Sequence, residues 1–111
     1  DVVMLVDENC KECYAVKINE NILKRFGMAL NNINTLDANS NEGKELIGKY
    51  KIKKVPILLV SPDASVYASF VQAWTNVGDV EDDGWYIMRK PEILGNYMNL
   101  ETGKFVNIAA K

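Results

Sequence analysis

An α/β domain with strands covered on both faces is the fold class this sequence predicts, on three observations. Two short runs, Val2–Val6 and Ile57–Val60, are apolar at every position instead of alternating, which is the pattern of central strands buried on both sides. Between and after these runs, apolar residues recur every four positions, the helical period. The chain is 111 residues long, enough for one domain spanning residues 1–111 to close a hydrophobic core without a metal or a disulfide staple.

Taken in order, Val2–Val6 is the first strand. From Asn9 or Cys10 to about Phe26 the spacing of Tyr14, Ile18 and Ile22, with Leu23 and Phe26 beside them, predicts a helix that stops at Gly27. Asn19, Glu20 and Asn21 make a poor helix interior, so a kink or break is expected there. Ile33 and Leu36 mark a short second strand. A helix follows over roughly residues 40–50, capped by Asn39 or Ser40, with Leu46, Ile47 and Tyr50 as its buried stripe. The strand Ile57–Val60 comes next. Strands separated by helical segments of this length imply parallel pairing with right-handed crossovers.

Beyond Val60, Ser61 followed by Pro62 is a helix-start signal, and Val66, Phe70 and Trp74 continue a four-residue spacing, so a helix is predicted. Phe70 and Trp74 read as core contacts in preference to a partner-binding face. Residues 76–84 read as a turn-rich loop, residues 85–89 as a strand, and residues 97–108 as two short strands about Gly103. Trp85, Tyr86 and Tyr97 read as sheet-packing aromatics. Glu81, Asp82 and Asp83 read as a solvated acidic loop in preference to a Ca²⁺ site or a basic-partner site.

Composition excludes some partners. The formal net charge is -2, with 48% hydrophobic and 25% charged residues, so no basic field is available for nucleic acid or anionic lipid. No apolar run approaches the roughly 18 residues of a membrane span, and the N-terminus lacks a signal-peptide pattern. The sequence starts at Asp1, almost on a strand, which predicts a piece of a longer chain from which a tag, signal or anchor is missing. Cytoplasmic and extracytoplasmic locations both stay open, the latter if that segment is a signal or anchor.

The chain holds two cysteines, Cys10 and Cys13, in Asn-Cys-Lys-Glu-Cys. If a helix starts at Cys10, unpaired N–H groups and the positive end of the helix dipole favour its thiolate and lower its pKa below the free value of about 8.5. Cys13 lies one turn on, within reach of a disulfide. A zinc site needs four ligands, and the chain has no histidine and no further cysteine, so a metal would require carboxylates or a second subunit. An inert staple would close too small a loop to restrict the unfolded chain much. A dithiol redox pair is the leading reading, with Lys11 supporting the thiolate and Glu12, Asp7 and Glu8 opposing it. All four also read as solvated charges that tune a potential without entering the chemistry.

A CxxC at the first helix start, a strand–helix–strand–helix order, and Tyr50, Ile52, Val55 and Pro56 leading into the next strand together resemble the thioredoxin family over roughly residues 2–60. The resemblance implies a three-layer α/β/α sandwich with a mixed central sheet. By the same resemblance Cys10 is the nucleophile, Cys13 the resolving thiol, Pro56 a cis proline and Val55 the residue whose backbone pairs with a substrate segment. A proline opening a buried strand is compatible with that, since an X–Pro bond is where a cis peptide is cheap.

Several features depart from the family pattern. Asn9 stands in the tryptophan place, neither Gly nor Pro lies between the cysteines, and Val2–Val6 carries no buried carboxylate. Residues 61–84 form an insertion after the proline strand, and no closing helix is visible. The function expected is thiol–disulfide oxidoreduction on a protein or small-molecule disulfide or dithiol, with an unidentified redox partner, no bound cofactor or metal, and a monomeric chain. The alternative is a non-catalytic thioredoxin-like binding or redox-sensing domain of a larger, membrane-anchored protein.

Overall fold

The computed structural model describes residues 2–10, 13, 18–25, 33–93 and 95–107, with residues 18, 19 and 22 described by backbone alone. They form a mixed α/β fold. In chain order the elements are β1 (Val2–Val6), α1 (Ile18–Arg25), β2 (Ile33–Asp37), α2 (Asn41–Tyr50), β3 (Lys54–Val55), β4 (Ile57–Val60), a 3-10 turn (Pro62–Val66), α3 (Ala68–Trp74), β5 (Gly78–Val80), β6 (Tyr86–Met88), a second 3-10 turn (Pro91–Ile93), β7 (Tyr97–Asn99) and β8 (Lys104–Val106). One sheet has the order β2-β1-β4-β6-β5 and a smaller one the order β3-β7-β8.

The uniformly apolar runs are the centre of the larger sheet. Ile57, Leu58, Leu59 and Val60 are all at most 2% exposed, as are Met4, Leu5 and Ile87. Each such fully buried aliphatic side chain contributes about 1.5–3 kcal/mol relative to exposure. Phe70, Trp74 and Tyr86 complete the core, with ring centroids 5.1–6.0 Å apart in tilted and edge-on pairs. The aromatic residues of the insertion are therefore core contacts, and the Trp74 indole N–H finds a partner in the Asp79 carbonyl at 3.1 Å. Among the described residues no helix is long and apolar enough to cross a membrane.

The sheet is not all parallel. β1 and β2 are parallel, with Val2 opposite Ile33 and Val6 opposite Asp37, but β1 and β4 are antiparallel, with Leu5 opposite Ile57 and Val2 opposite Val60. The expected parallel pairing of the third apolar strand is thus corrected. The reason is β3: α2 carries the chain back along the sheet once and the segment ending at Val55 carries it back again. β4 therefore enters at the end where β1 leaves.

Three local expectations also change. The first helix does not start at Cys10. It runs from Ile18 to Arg25, so the Asn-Glu-Asn stretch is its first turn, not a break, with Glu20 at the N-terminal end and Lys24 and Arg25 at the other, as the helix dipole favours. Tyr14, Phe26 and Gly27 lie outside the described residues, while Leu23 is buried in the core. The Ser61–Pro62 start opens only a 3-10 turn, because the Ser61 hydroxyl is bonded to the Asp63 carboxylate and Tyr67 is extended (φ -97°, ψ 92°), so α3 starts at Ala68 and Val66 stays 78% exposed. Finally, the loop expected over residues 76–84 contains β5, paired with β6.

α2 behaves as its sequence predicts. Ser40 caps it, accepting from Gly43 N–H at 3.0 Å, and Tyr50 is buried at its last turn. The two strands expected about Gly103 are β7 and β8, and Gly103 takes the left-handed φ of 70° that the turn needs.

Candidate redox site

Cys10 and Cys13 are joined in a disulfide, with Sγ–Sγ 2.01 Å and Cα–Cα 5.6 Å, and both are half-buried. Cys10 leaves β1 through a turn in which its N–H donates to the Asp7 carbonyl at 2.9 Å. Neither cysteine lies in a helix, so the helix start expected at Cys10 is not found at that residue. Lys11 and Glu12, the expected tuning residues, lie outside the described residues.

Polar groups from the parallel neighbour position this loop instead. The Ala38 N–H donates to the Val6 carbonyl at 2.6 Å, continuing the β1–β2 ladder past its last residues. The Asp37 Oδ1 accepts from the N–H groups of Glu8 at 3.4 Å and Asn39 at 3.2 Å. Asp7 Oδ1 accepts from the Asn9 N–H at 2.9 Å. The Asn39 side-chain amide bridges the two carboxylates, at 3.2 Å to Asp7 and 3.4 Å to Asp37. Asp37 and the Asn39 amide are residues that reading the cysteine motif alone misses. The signal for them is a repeated pattern: Asp7-Glu8-Asn9 and Asp37-Ala38-Asn39 each stand at the end of a strand as Asp-x-Asn, the pattern of a carboxylate folding back on N–H two residues on.

Pro56 follows a cis peptide bond from Val55. The Leu5–Ile57 register brings Val55 and Pro56 to the end of the sheet at which β1 delivers Cys10 and its disulfide partner Cys13, four of the six expected site residues. Both Val55 and Pro56 are fully buried. Val55 is paired with Met98 of β7, so in this structure its ladder partner comes from the same chain.

The acidic loop is engaged elsewhere. Asp83 accepts from the Tyr50 hydroxyl at 2.7 Å and the Trp85 N–H at 3.1 Å, with Lys49 at 3.6 Å, and Glu81 pairs with Arg89 at 3.6 Å. The Tyr50 and Trp85 donors hold the Asp83 carboxyl below the usual range, and burial, then Asp83, pushes the Tyr50 hydroxyl up. Among the described residues no group of three or more His, Cys, Asp or Glu is gathered as a metal site would require. A groove of about 670 Å³ runs along Lys49–Lys54 toward Arg89, and neither a described cysteine nor Pro56 lines it.

The chain matches no protein-family model, no curated protein and no solved structure. What the site can do is therefore argued from its own chemistry. A half-buried pair of cysteines that can close to a disulfide has the chemistry of two-electron exchange with another disulfide.

Proposed function

We propose that this chain is a thioredoxin-like thiol–disulfide oxidoreductase that works through Cys10 and Cys13. The observation that supports the reading is that the Cys10–Cys13 pair and the Val55–Pro56 segment lie toward the same end of a mixed sheet in which β1 lies between a parallel β2 and an antiparallel β4. The substrate is a protein or small-molecule disulfide or dithiol, and a second redox protein or thiol returns the pair to its starting state.

In the reducing direction the Cys10 thiolate attacks one sulfur of the substrate disulfide and expels the other as a thiolate. The Cys13 thiolate then attacks Cys10 Sγ, releasing the second substrate thiolate and leaving the Cys10–Cys13 disulfide. Two electrons pass to the substrate, and each released thiolate takes a proton from solvent. The oxidising direction runs the same steps backwards from the disulfide form.

A second reading, a redox-sensing or binding domain, draws on one observation. Val55 and Pro56 are buried and Val55 is already paired within the chain, so a peptide has no open edge there. Two measurements separate the readings. An oxidoreductase accelerates dithiothreitol-driven reduction of insulin, loses that activity in Cys10→Ser, and shows a reversible transition in glutathione or dithiothreitol buffers between roughly -120 and -270 mV. Absence of a transition in that range, with no insulin turnover, would overturn the catalytic reading.

A further inference from the structure

The register of β3 against β7 decides what the backbone of Val55 is free to bind. Val55 lies opposite Met98 and Lys54 opposite Asn99, and the Leu100 N–H donates to the Lys53 carbonyl at 2.8 Å. Hydrogen-bonded and non-bonded pairs alternate along an antiparallel ladder. With Lys53–Leu100 bonded, Lys54–Asn99 is the non-bonded pair and Val55–Met98 the next bonded one. Both the N–H and the carbonyl of Val55 therefore point at β7, and Pro56 offers no N–H of its own.

The hairpin that takes up those groups is lightly held. β3 contributes only two ladder residues, the β7 residues are half-buried, and β8 is no more than half-buried. Its attachments include the packing of Met98 and Leu100 against the core and the Lys54 ammonium 5.3 Å from the Tyr97 ring centre. Such an element opens well before the β1–β4–β6 core does.

We infer that the β7–β8 hairpin is an internal strand cap, held on β3 until an extended peptide replaces β7 there. The inference rests on the redox reading above, since the strand arriving at Val55 beside the cysteines is the disulfide-bearing segment of a protein substrate. The segment it fits is extended, with an apolar side chain where Met98 now stands and a polar one where Asn99 faces Lys54. The incoming strand restores the same two backbone bonds. Until then the affinity for peptide is reduced by the fraction of molecules that are uncapped. A small disulfide needs no strand and escapes this control.

Met98→Pro removes the N–H that bonds Val55 and disrupts β7. It is expected to speed insulin reduction about five- to tenfold by enlarging the uncapped fraction, while exchange with oxidised glutathione and the Cys10–Cys13 potential stay unchanged. In the unmodified chain, hydrogen exchange is expected to release the Val55 amide together with Leu100 and the β8 amides, ahead of those of β1 and β4. A folded Met98→Pro protein with equal or slower insulin turnover would overturn the cap, as would a Val55 amide that exchanges only when the core unfolds. Failure of the redox reading looks different: neither glutathione nor insulin reacts with either protein, and hydrogen exchange still decides whether the hairpin opens.

Discussion

At the cysteine end of the larger sheet, two carboxylates, Asp7 and Asp37, are bridged by the Asn39 amide and held by backbone N–H groups, with no cation paired to either among the described residues. At the corner where α2 ends, every carboxylate in a contact has a cation: Asp79 and Glu81 meet Arg89, and Asp83 meets Lys49. The second cluster is a structural tie, because each of its carboxylates meets a cation and its geometry closes α2 onto β5 and β6. The first has two carboxylates and no described cation in the segment that leads to the disulfide. Negative charge near a thiol disfavours its thiolate form in general, so the contrast can be tested in the Cys10–Cys13 potential.

The largest test of this contrast uses two glycines of α2. A Cβ on Gly43 would collide with the Asp37 carbonyl and approach Ala38, while one on Gly48 meets nothing within 4 Å. Gly43→Ala is expected to lower stability by about 2–3 kcal/mol, as overpacking does, and to disturb the Asp37 contacts that hold the cysteine loop. Gly48→Ala, on the exposed side of the same helix, is expected to raise stability by up to about 1 kcal/mol through helix propensity. Urea midpoints of both variants check this, and equal effects would remove α2 as the support of the site.

Next in size is Arg89→Leu. It strips the Tyr50 carbonyl of a donor at 2.7 Å and leaves Asp79 and Glu81 unmatched, at an expected loss of about 1–3 kcal/mol. The stability of the unmodified chain should fall in 1 M NaCl, where screening extends to about 3 Å, and that sensitivity should shrink in the variant. Asp37→Asn acts at the other cluster and is smaller in stability, about 1 kcal/mol, but it removes a negative charge beside the disulfide. The Cys10–Cys13 potential should therefore rise by roughly 10–30 mV, toward the oxidising side. Arg89→Leu should leave that potential unmoved. A potential that follows Arg89 and ignores Asp37 would reverse the assignment of the two clusters.

How much of this was legible in the sequence depends on what each feature rests on. β1 and β4 were legible because burial on both faces demands apolar residues at every position, and α2 because Ser40, Leu46, Ile47 and Tyr50 mark both its start and its stripe. The direction of β4 was not, since a buried strand reads the same whether its neighbour runs parallel or antiparallel. β5 has a single apolar residue, Val80, which is 51% exposed, so only its pairing with β6 makes it a strand. At the site, the cysteines and Pro56 were legible as a motif. The start of the first helix was misplaced because the Asp7 and Asn9 turn chemistry, not a helix, governs the backbone before Cys10. Asp37 and Asn39 stand some thirty positions away in sequence, and only the parallel β1–β2 register brings them to the cysteine loop.

The smallest effect is also the most specific, because it centres on the Tyr50–Asp83 bond. The Asp83 carboxyl is held down, first by the Tyr50 hydroxyl and then by the Trp85 N–H, so its contribution is present above the ordinary carboxylate value of about 4 and is lost as pH falls through the lower folded-state value. The Tyr50 hydroxyl is raised, first by burial and then by Asp83, so its contribution is present below the ordinary tyrosine value of about 10 and is lost as pH rises through the higher one. Stability should therefore show a plateau with a shallow fall on either side. Asp83→Asn should flatten the acid limb and leave most of the alkaline limb, because burial is the larger cause at Tyr50. Tyr50→Phe should remove the alkaline contribution and weaken the acid one. Urea midpoints measured at about pH 3, 7 and 10.5 test the pair. An alkaline limb that disappears in Asp83→Asn would mean that the ionised carboxylate, and not burial, controls the Tyr50 hydroxyl. The corner would then be charge-governed in the same way as the cysteine end.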